Sequence, residues 1–289
     1  MFDDILLPVD GSEASANAVA YAVRLADASE ATVHVLAVRD TGPLPHALSD
    51  LLADGYVDPT LLAAAGTAVE DAVAACEAAG VPVTARIVTG HPTDVILDTL
   101  SANDSDLVVL GVHPPGALVR FLRRSVAEQV AHHAPVPVLT VGARGPALDP
   151  HVRWILVAVD GSPCAERASS YAIDLATTFD ASVEGLYVVE DRFGSSGPLR
   201  ALLESTGETV LRELRVHGAR EGVAVTTTTR TGTPAREILT YAAAQPVDLL
   251  VLGTHGRDGL DRVVMGSVAA RVIRAASVPV LTVRATDAD

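Results

Sequence analysis

Gly253, Gly256 and Gly266 stand at the spacing G-x2-G-x9-G, and Ser267 follows the last of them directly. An apolar run, Leu249-Leu250-Val251-Leu252, precedes the first glycine, and a helix-like run from Val268 to Ala276 follows the serine. Glycines between a strand and a helix let backbone N–H groups close on a phosphate with no Cβ in the way. The chemistry expected here is a phosphate cradle built from main chain. It must use main chain, hydroxyls, arginine or a metal ion, because all 21 basic residues are arginine. Without lysine there is no P-loop lysine and no lysine Schiff base. No G-x-S-x-G elbow or H-E-x-x-H pair is present either, so hydrolase chemistry has no signature.

The elements that carry this stretch occur twice. Val9-Asp10-Gly11-Ser12 recurs as Val159-Asp160-Gly161-Ser162, an offset of 150. Thr89-Gly90-His91-Pro92 recurs as Thr231-Gly232-Thr233-Pro234, an offset of 142, and Val136 to Val141 recurs unchanged at Val278 to Val283. The chain is a tandem duplication of a unit of roughly 140 residues, enough to bury its own core. The eight extra residues of the first copy are expected between its second and third strands, from Asp40 to Pro59. The units are read as 1–145 and 151–285, with the linker-like GARGPALDP of residues 142–150 at the boundary.

Each copy alternates β-branched runs with alanine-rich helical stretches. In the second, strands are expected near 153–159, 182–189, 224–230, 247–252 and 279–284, with helices near 163–178, 198–221, 235–244 and 267–276. In the first, strands are expected near 4–9, 32–38, 82–88, 106–111 and 137–142, with helices near 13–28, 58–79, 93–101 and 126–133. Runs such as Leu107-Val108-Val109-Leu110 are apolar on both faces, which suits a parallel sheet covered on both sides. The fold class is therefore α/β, with two open, doubly wound, parallel five-stranded sheets of order 3-2-1-4-5. Ligands of such sheets bind beyond the carboxyl ends of the strands where the order reverses. Asp160 and Gly253 end the two strands at that point.

The formal net charge of −15 argues against nucleic acid as a partner. No apolar run approaches the ~18 residues of a membrane helix, and the start, Met1-Phe2-Asp3-Asp4, lacks a signal-type basic region. A cytoplasmic protein is expected. Cys76 and Cys164 have neither CxxC nor zinc spacing and read as reduced thiols.

Taken together, Val-Asp-Gly-Ser after strand one, G-x2-G-x9-G-S after strand four and the repeated Val-Pro-Val strand resemble a universal stress protein in tandem form. The resemblance covers almost the whole chain. It implies that the two domains pair through their last strands as an intrachain pseudo-dimer. It also implies binding of ATP, or AMP or ADP, with Mg²⁺, since members with the glycine motif bind adenine nucleotides. Carried over, Ala158, Val159 and Asp160 would lie beside adenine and ribose, and Val188 would pack on the base. Gly253, Thr254, His255, Gly256 and Arg257 would line the phosphates, and Gly266, Ser267 and Val268 would bring amides and a hydroxyl to them.

The first copy keeps Val9, Asp10, Val38 and Gly111 but has Pro114 and Arg124 where glycines belong. Proline removes an amide donor, and arginine fills the approach. One nucleotide per chain, in the second copy, is expected, while Arg123 and Arg124 leave room for another anion in the first. Several residues have a plainer role beside the ligand one. Ser125 and Ser267 read at least as helix caps, and Asp10 and Asp160 as Asx turns leading into Ser12 and Ser162-Pro163. His255 and His113 read as loop histidines, His132-His133 as a helix C-terminal pair, and Arg257 and Arg262 as charges offset by Asp258 and Asp261. The function expected is nucleotide-dependent regulation of an unidentified client by a monomer or homodimer, without turnover. The rivals are a slow ATPase, self-phosphorylation on Ser267 or a nearby threonine, and a nucleotide-free scaffold.

Overall fold

The computed structural model describes residues 1–40, 59–112, 125–143, 152–190, 197–256 and 265–285. The N-terminal repeat runs β1 (Asp4–Val9), α1 (Glu13–Ser29), β2 (Thr32–Asp40), α2 (Pro59–Ala78), β3 (Val83–Gly90), α3 (Pro92–Ala102), β4 (Leu107–Val112), α4 (Val126–His133) and β5 (Val138–Gly142). The C-terminal repeat runs β6 (Trp154–Val159), α5 (Pro163–Phe179), β7 (Ser182–Glu190), α6 (Pro198–Arg220), β8 (Val225–Gly232), α7 (Pro234–Ala244), β9 (Leu249–Gly253), α8 (Ser267–Ala275) and β10 (Val280–Val283). The extra length falls where the repeat offsets change. β2 and β7 end 150 residues apart (190 − 40), whereas β3 and β8 begin 142 apart (225 − 83). The expected insertion segment, 40–59, otherwise lies outside the described residues, as does most of the boundary segment 142–150.

Each repeat has the parallel order 3-2-1-4-5, and the two sheets are one. The full order is β3-β2-β1-β4-β5-β10-β9-β6-β7-β8, and the only antiparallel ladder among the described strands is β5 with β10. Leu139 faces Leu281 at the centre of that seam, with Thr140 opposite Val280 and Val138 opposite Thr282. Leu139 and Leu281 are themselves 142 apart, so a pseudo-twofold axis passes between them. Its mark is a reciprocal pair of buried bonds. The Thr140 hydroxyl donates to the Val280 carbonyl and the Thr282 hydroxyl to the Val138 carbonyl, each at 3.2 Å.

Alternation along the strands feeds two cores, one per sheet face. Ile5, Leu7, Val33, Ile155, Val157 and Val183 pack under α1, α2, α5 and α6. Leu6, Leu36, Leu156, Leu186 and Leu250 pack under α3, α4, α7 and α8. Both cores cross the seam, through Leu139 and Leu281 on one face and Val138 and Val280 on the other. A fully buried Leu or Ile contributes ~1.5–3 kcal/mol, so the seam is held chiefly by apolar burial.

Each first strand is joined to its helix by the same device. Ser12 and Ser162 accept from the amides of Ser15 and Ala165, and Ser12 N–H and Ser162 N–H donate to Asp10 and Asp160. The turn requires a left-handed residue, supplied by Gly11 (φ 79°) and Gly161 (φ 80°). The Asx-turn reading thus holds in both repeats.

Candidate functional site

The cleft of the C-terminal repeat opens where β6 and β9 end side by side. Asp160 leaves β6, and its Oδ1 accepts from Ser162 N–H at 2.9 Å. Gly256 comes from the loop after β9, and a Cβ on it would lie 2.9 Å from Asp160 Oδ2. A Cβ on Gly266 would lie 2.9 Å from the Thr254 carbonyl oxygen, which already accepts from Gly266 N–H at 2.9 Å. The loop is further tied by Ser162, whose hydroxyl donates to the His255 carbonyl at 3.2 Å. The sequence marks Ser162 only as the residue that follows the Asp160 turn. Its second bond spans 93 positions and leaves no local signal.

Gly253 has a different role from the other two glycines. A Cβ there would lie 2.7 Å from Cys164 Cβ and 2.9 Å from both Ala165 N and Cys164 C, so β9 rests directly on the first turn of α5. Gly111 makes the same approach to Ala14 and Ser15 on α1, at 2.6–2.9 Å. This glycine is therefore a packing residue in both repeats, and the first copy keeps it after losing the other two.

Several expectations change once side chains are placed. Val159 is 4 % exposed and lies in the core under α5 and α6, so its side chain does not face the α7–α8 side of the cleft. Strand alternation gives that side to Ala158 and Val188, both half-buried, with Val268 on the same face. Thr254 is buried, and its hydroxyl meets His255 Nδ1 at 3.0 Å, so it positions the histidine instead of reaching outward. Ser267 is not a cap. Gly266 is the N-cap of α8 and makes no side-chain cap bond, while Ser267 is the first helical residue and is exposed. Arg257, Asp258, Asp261 and Arg262, with His113, Pro114, Arg123 and Arg124 of the first copy, lie outside the described residues.

The first copy's helix α4 begins differently. Ser125 caps it, accepting from Glu128 N–H at 3.2 Å, and its hydroxyl lies 3.4 Å from Glu128 Oε1. Serine followed three residues later by glutamate is a capping box. Glu128 is 6 % exposed and pairs across the seam with Arg274 Nε at 3.7 Å. Position 128 corresponds to Ala270 in α8, whose first turn holds no acid. The first turn of α8 has neither a side-chain cap nor an acid, whereas that of α4 has a carboxylate of its own, which suits the helix dipole. Sequence reading missed Glu128, although laying the two first turns side by side would have revealed it. Beside this helix the N-terminal repeat has a cleft of about 310 Å³, lined by Asp10, Leu36, Val38, Gly111 and Ser125 among others.

The pseudo-twofold also brings each repeat's last helix to the other repeat. His132, at the end of α4 and 3 % exposed, stands with its ring 6.2 Å from that of His255. Its counterpart at the end of α8 is Arg274, the residue that reaches Glu128.

Fold and site together define a tandem doubly wound α/β protein whose two switch-point clefts share one sheet. The family model for the universal stress protein family matches residues 1–142 and again 151–284. A universal stress protein of Mycolicibacterium smegmatis is 30% identical over 297 residues, covering 97% of this chain and 96% of that one. One from Methanocaldococcus jannaschii is 37% identical over 137 residues, which is 45% of this chain and 81% of its own length. The chain belongs to the universal stress protein family, with two family domains in tandem. A crystal structure of a universal stress protein from Archaeoglobus fulgidus, 24% identical, superposes with a TM-score of 0.72 over 97% of this chain and 98% of that one, a likeness of fold. Among the described residues, no helix is long and apolar enough to cross a membrane.

Proposed function

We propose that the C-terminal repeat binds one adenine nucleotide per chain, ATP with Mg²⁺ or its mono- or diphosphate, and that the protein acts by holding it, not by turning it over. Ala158 and Val188 supply the apolar wall for the base, and Asp160 accepts from ribose hydroxyls. Gly256, Gly266 and Ser267 give the phosphates an approach to the N-terminus of α8, with Arg257 adding charge. The observation that carries this reading is the start of α8 beside Asp160 and Gly256, a helix N-terminus with Gly266 as its cap residue and with neither a side-chain cap bond nor an acid in its first turn. Backbone amides there favour an anion. Mg²⁺ offsets the long-range repulsion between a triphosphate and a protein of charge −15. Nothing among the described residues of the cleft combines a positioned base with a charge sink for the γ-phosphate, which phosphoryl transfer needs. The two free cysteines, both buried, suit a reducing compartment such as the cytoplasm. In a tandem protein, nucleotide occupancy in one repeat alone is a signal that a client can read.

Titration calorimetry with Mg-ATP tests this. A stoichiometry near one is expected, with affinity falling at least tenfold in Gly256→Ala, whose methyl displaces the Asp160 carboxylate. A stoichiometry near two, or no binding, overturns it.

A further inference from the structure

We infer that His132, in the N-terminal repeat, is a positioning residue for the C-terminal cleft: its ring steadies His255 from across the seam and so fixes the loop that carries Gly256. The inference rests on the nucleotide reading of that cleft and adds to it a part supplied by the other repeat. His132 is 3 % exposed at the end of α4, and its ring centroid lies 6.2 Å from that of His255, with 41° between the planes. Centroids about 4.5–7 Å apart are in the range of aromatic pairs. The His132 ring also meets that of His133 edge-on, with 4.3 Å between centroids, and His133 Nδ1 is tied to the Gln129 carbonyl at 2.8 Å.

His255 is enclosed by its neighbours. The Thr254 hydroxyl meets its Nδ1 at 3.0 Å, Ser162 donates to its carbonyl at 3.2 Å, and its Nε2 is buried. An imidazole held in this way acts as a strut for the loop. The contacts around it close on themselves. Thr254 N–H donates to the Val283 carbonyl at 2.8 Å, and the next residue, Arg284, donates from Nη1 to the His132 carbonyl at 3.2 Å. Thr254, His255, His132, Arg284 and Val283 thus form a closed ring of contacts that crosses the seam twice. Both glycines of the cleft hang from it. Gly256 follows His255 directly, and the Thr254 carbonyl accepts from Gly266 N–H, the cap residue of α8, at 2.9 Å. The device is one-sided. The pseudo-twofold matches His132 to Arg274, which donates back to the Ala270 carbonyl at 3.0 Å and pairs with Glu128, and α8 contains no histidine to return. Without the His132 ring the loop has one anchor fewer, and the ordering it then needs on binding subtracts from nucleotide affinity.

The test is calorimetric titration of the full chain with Mg-ATP, together with imidazole and amide NMR of the nucleotide-free chain. His132→Ala should weaken Mg-ATP about fivefold at unchanged stoichiometry, the scale of a lost aromatic pair. His132→Phe keeps a ring in place and should stay within about twofold of wild type. In a His255→Ala background, His132→Ala should change the affinity by no more than about twofold, because the two rings act as a unit. If His132→Ala does not fold, His132→Gln, which removes the ring and keeps a polar side chain, takes its place with the same expected loss. Wild-type affinity in the ring-less variant, no rescue by His132→Phe, or equal losses with and without His255 would each overturn the inference. If the wild-type chain gives no heat with Mg-ATP, it is the nucleotide reading that fails. The positioning role is then decided by NMR, where His132→Ala must move the His255 ring signals and the Gly256 amide signal, and unmoved signals overturn it.

Discussion

Replacing Gly253 by alanine should destabilise the protein, and replacing Gly111 should do so to a similar extent. The methyl of Gly253→Ala would sit 2.7–2.9 Å from three atoms of Cys164 and Ala165, two of them main chain. Ordinary van der Waals contact begins near 3.4 Å, so α5 or β9 must give way by roughly half an ångström. Overpacking of this kind costs ~1–3 kcal/mol. Gly253 lacks the left-handed φ that would add strain. Alanine also restricts the unfolded chain, which returns ~0.4–1 kcal/mol. The net loss is about 1–2 kcal/mol, or ~2–8 °C in Tm at this size. Gly111→Ala meets Ala14 and Ser15 at 2.6–2.9 Å and should cost a similar ~1–2 kcal/mol. Urea unfolding followed by circular dichroism, wild type against each variant, measures both. Two variants as stable as wild type would refute the packing role. A loss confined to one of the two variants would refute the packing role of the other glycine.

The two helix-start serines should behave oppositely. Ser125→Ala removes a cap and should cost ~1 kcal/mol in urea unfolding, whereas Ser267→Ala, exposed and without a cap bond, should leave stability unchanged and weaken Mg-ATP binding in calorimetry. At the seam, Thr140→Val and Thr282→Val each remove a buried hydroxyl-to-carbonyl bond, and each should lower stability by ~0.5–1.5 kcal/mol in the same unfolding assay. Burial, with the Glu77 charge second, pushes the Cys76 thiol up to about 11 from 9.0. The folded chain then keeps a proton that the unfolded chain releases, so stability is complete below pH 9 and falls as pH rises toward 11. At ~1.4 kcal/mol per unit the loss approaches 2–3 kcal/mol. Unfolding midpoints at pH 8, 9 and 10 should therefore drop more steeply for wild type than for Cys76→Ala.

Much was legible from residue order alone, because repetition and periodicity are local. The offsets of 150 and 142 fixed the duplication, and the doubly apolar strands fixed a parallel sheet with helices on both faces. Asp-Gly-Ser spelled out the turn and cap that each first helix uses. What escaped is non-local. Val159 and Ala158 are neighbours in sequence, yet the pleat sends them to opposite cores, and no motif says which face holds the cleft. The glycine pattern did not separate Gly253, pressed on α5, from Gly256 and Gly266, because the three differ only in what approaches them. Glu128 carries no ligand-binding motif in the sequence. Its meaning came from the seam, where antiparallel pairing of β5 and β10 turns α4 and α8 toward each other's cleft and brings Arg274 to it. Sequence determined the parts and their count, since these follow from local backbone preference and burial period. Tertiary structure decided what surrounds each of the two similar helix starts, since the groups that meet there, such as Glu128 and Arg274, come from residues more than a hundred positions apart.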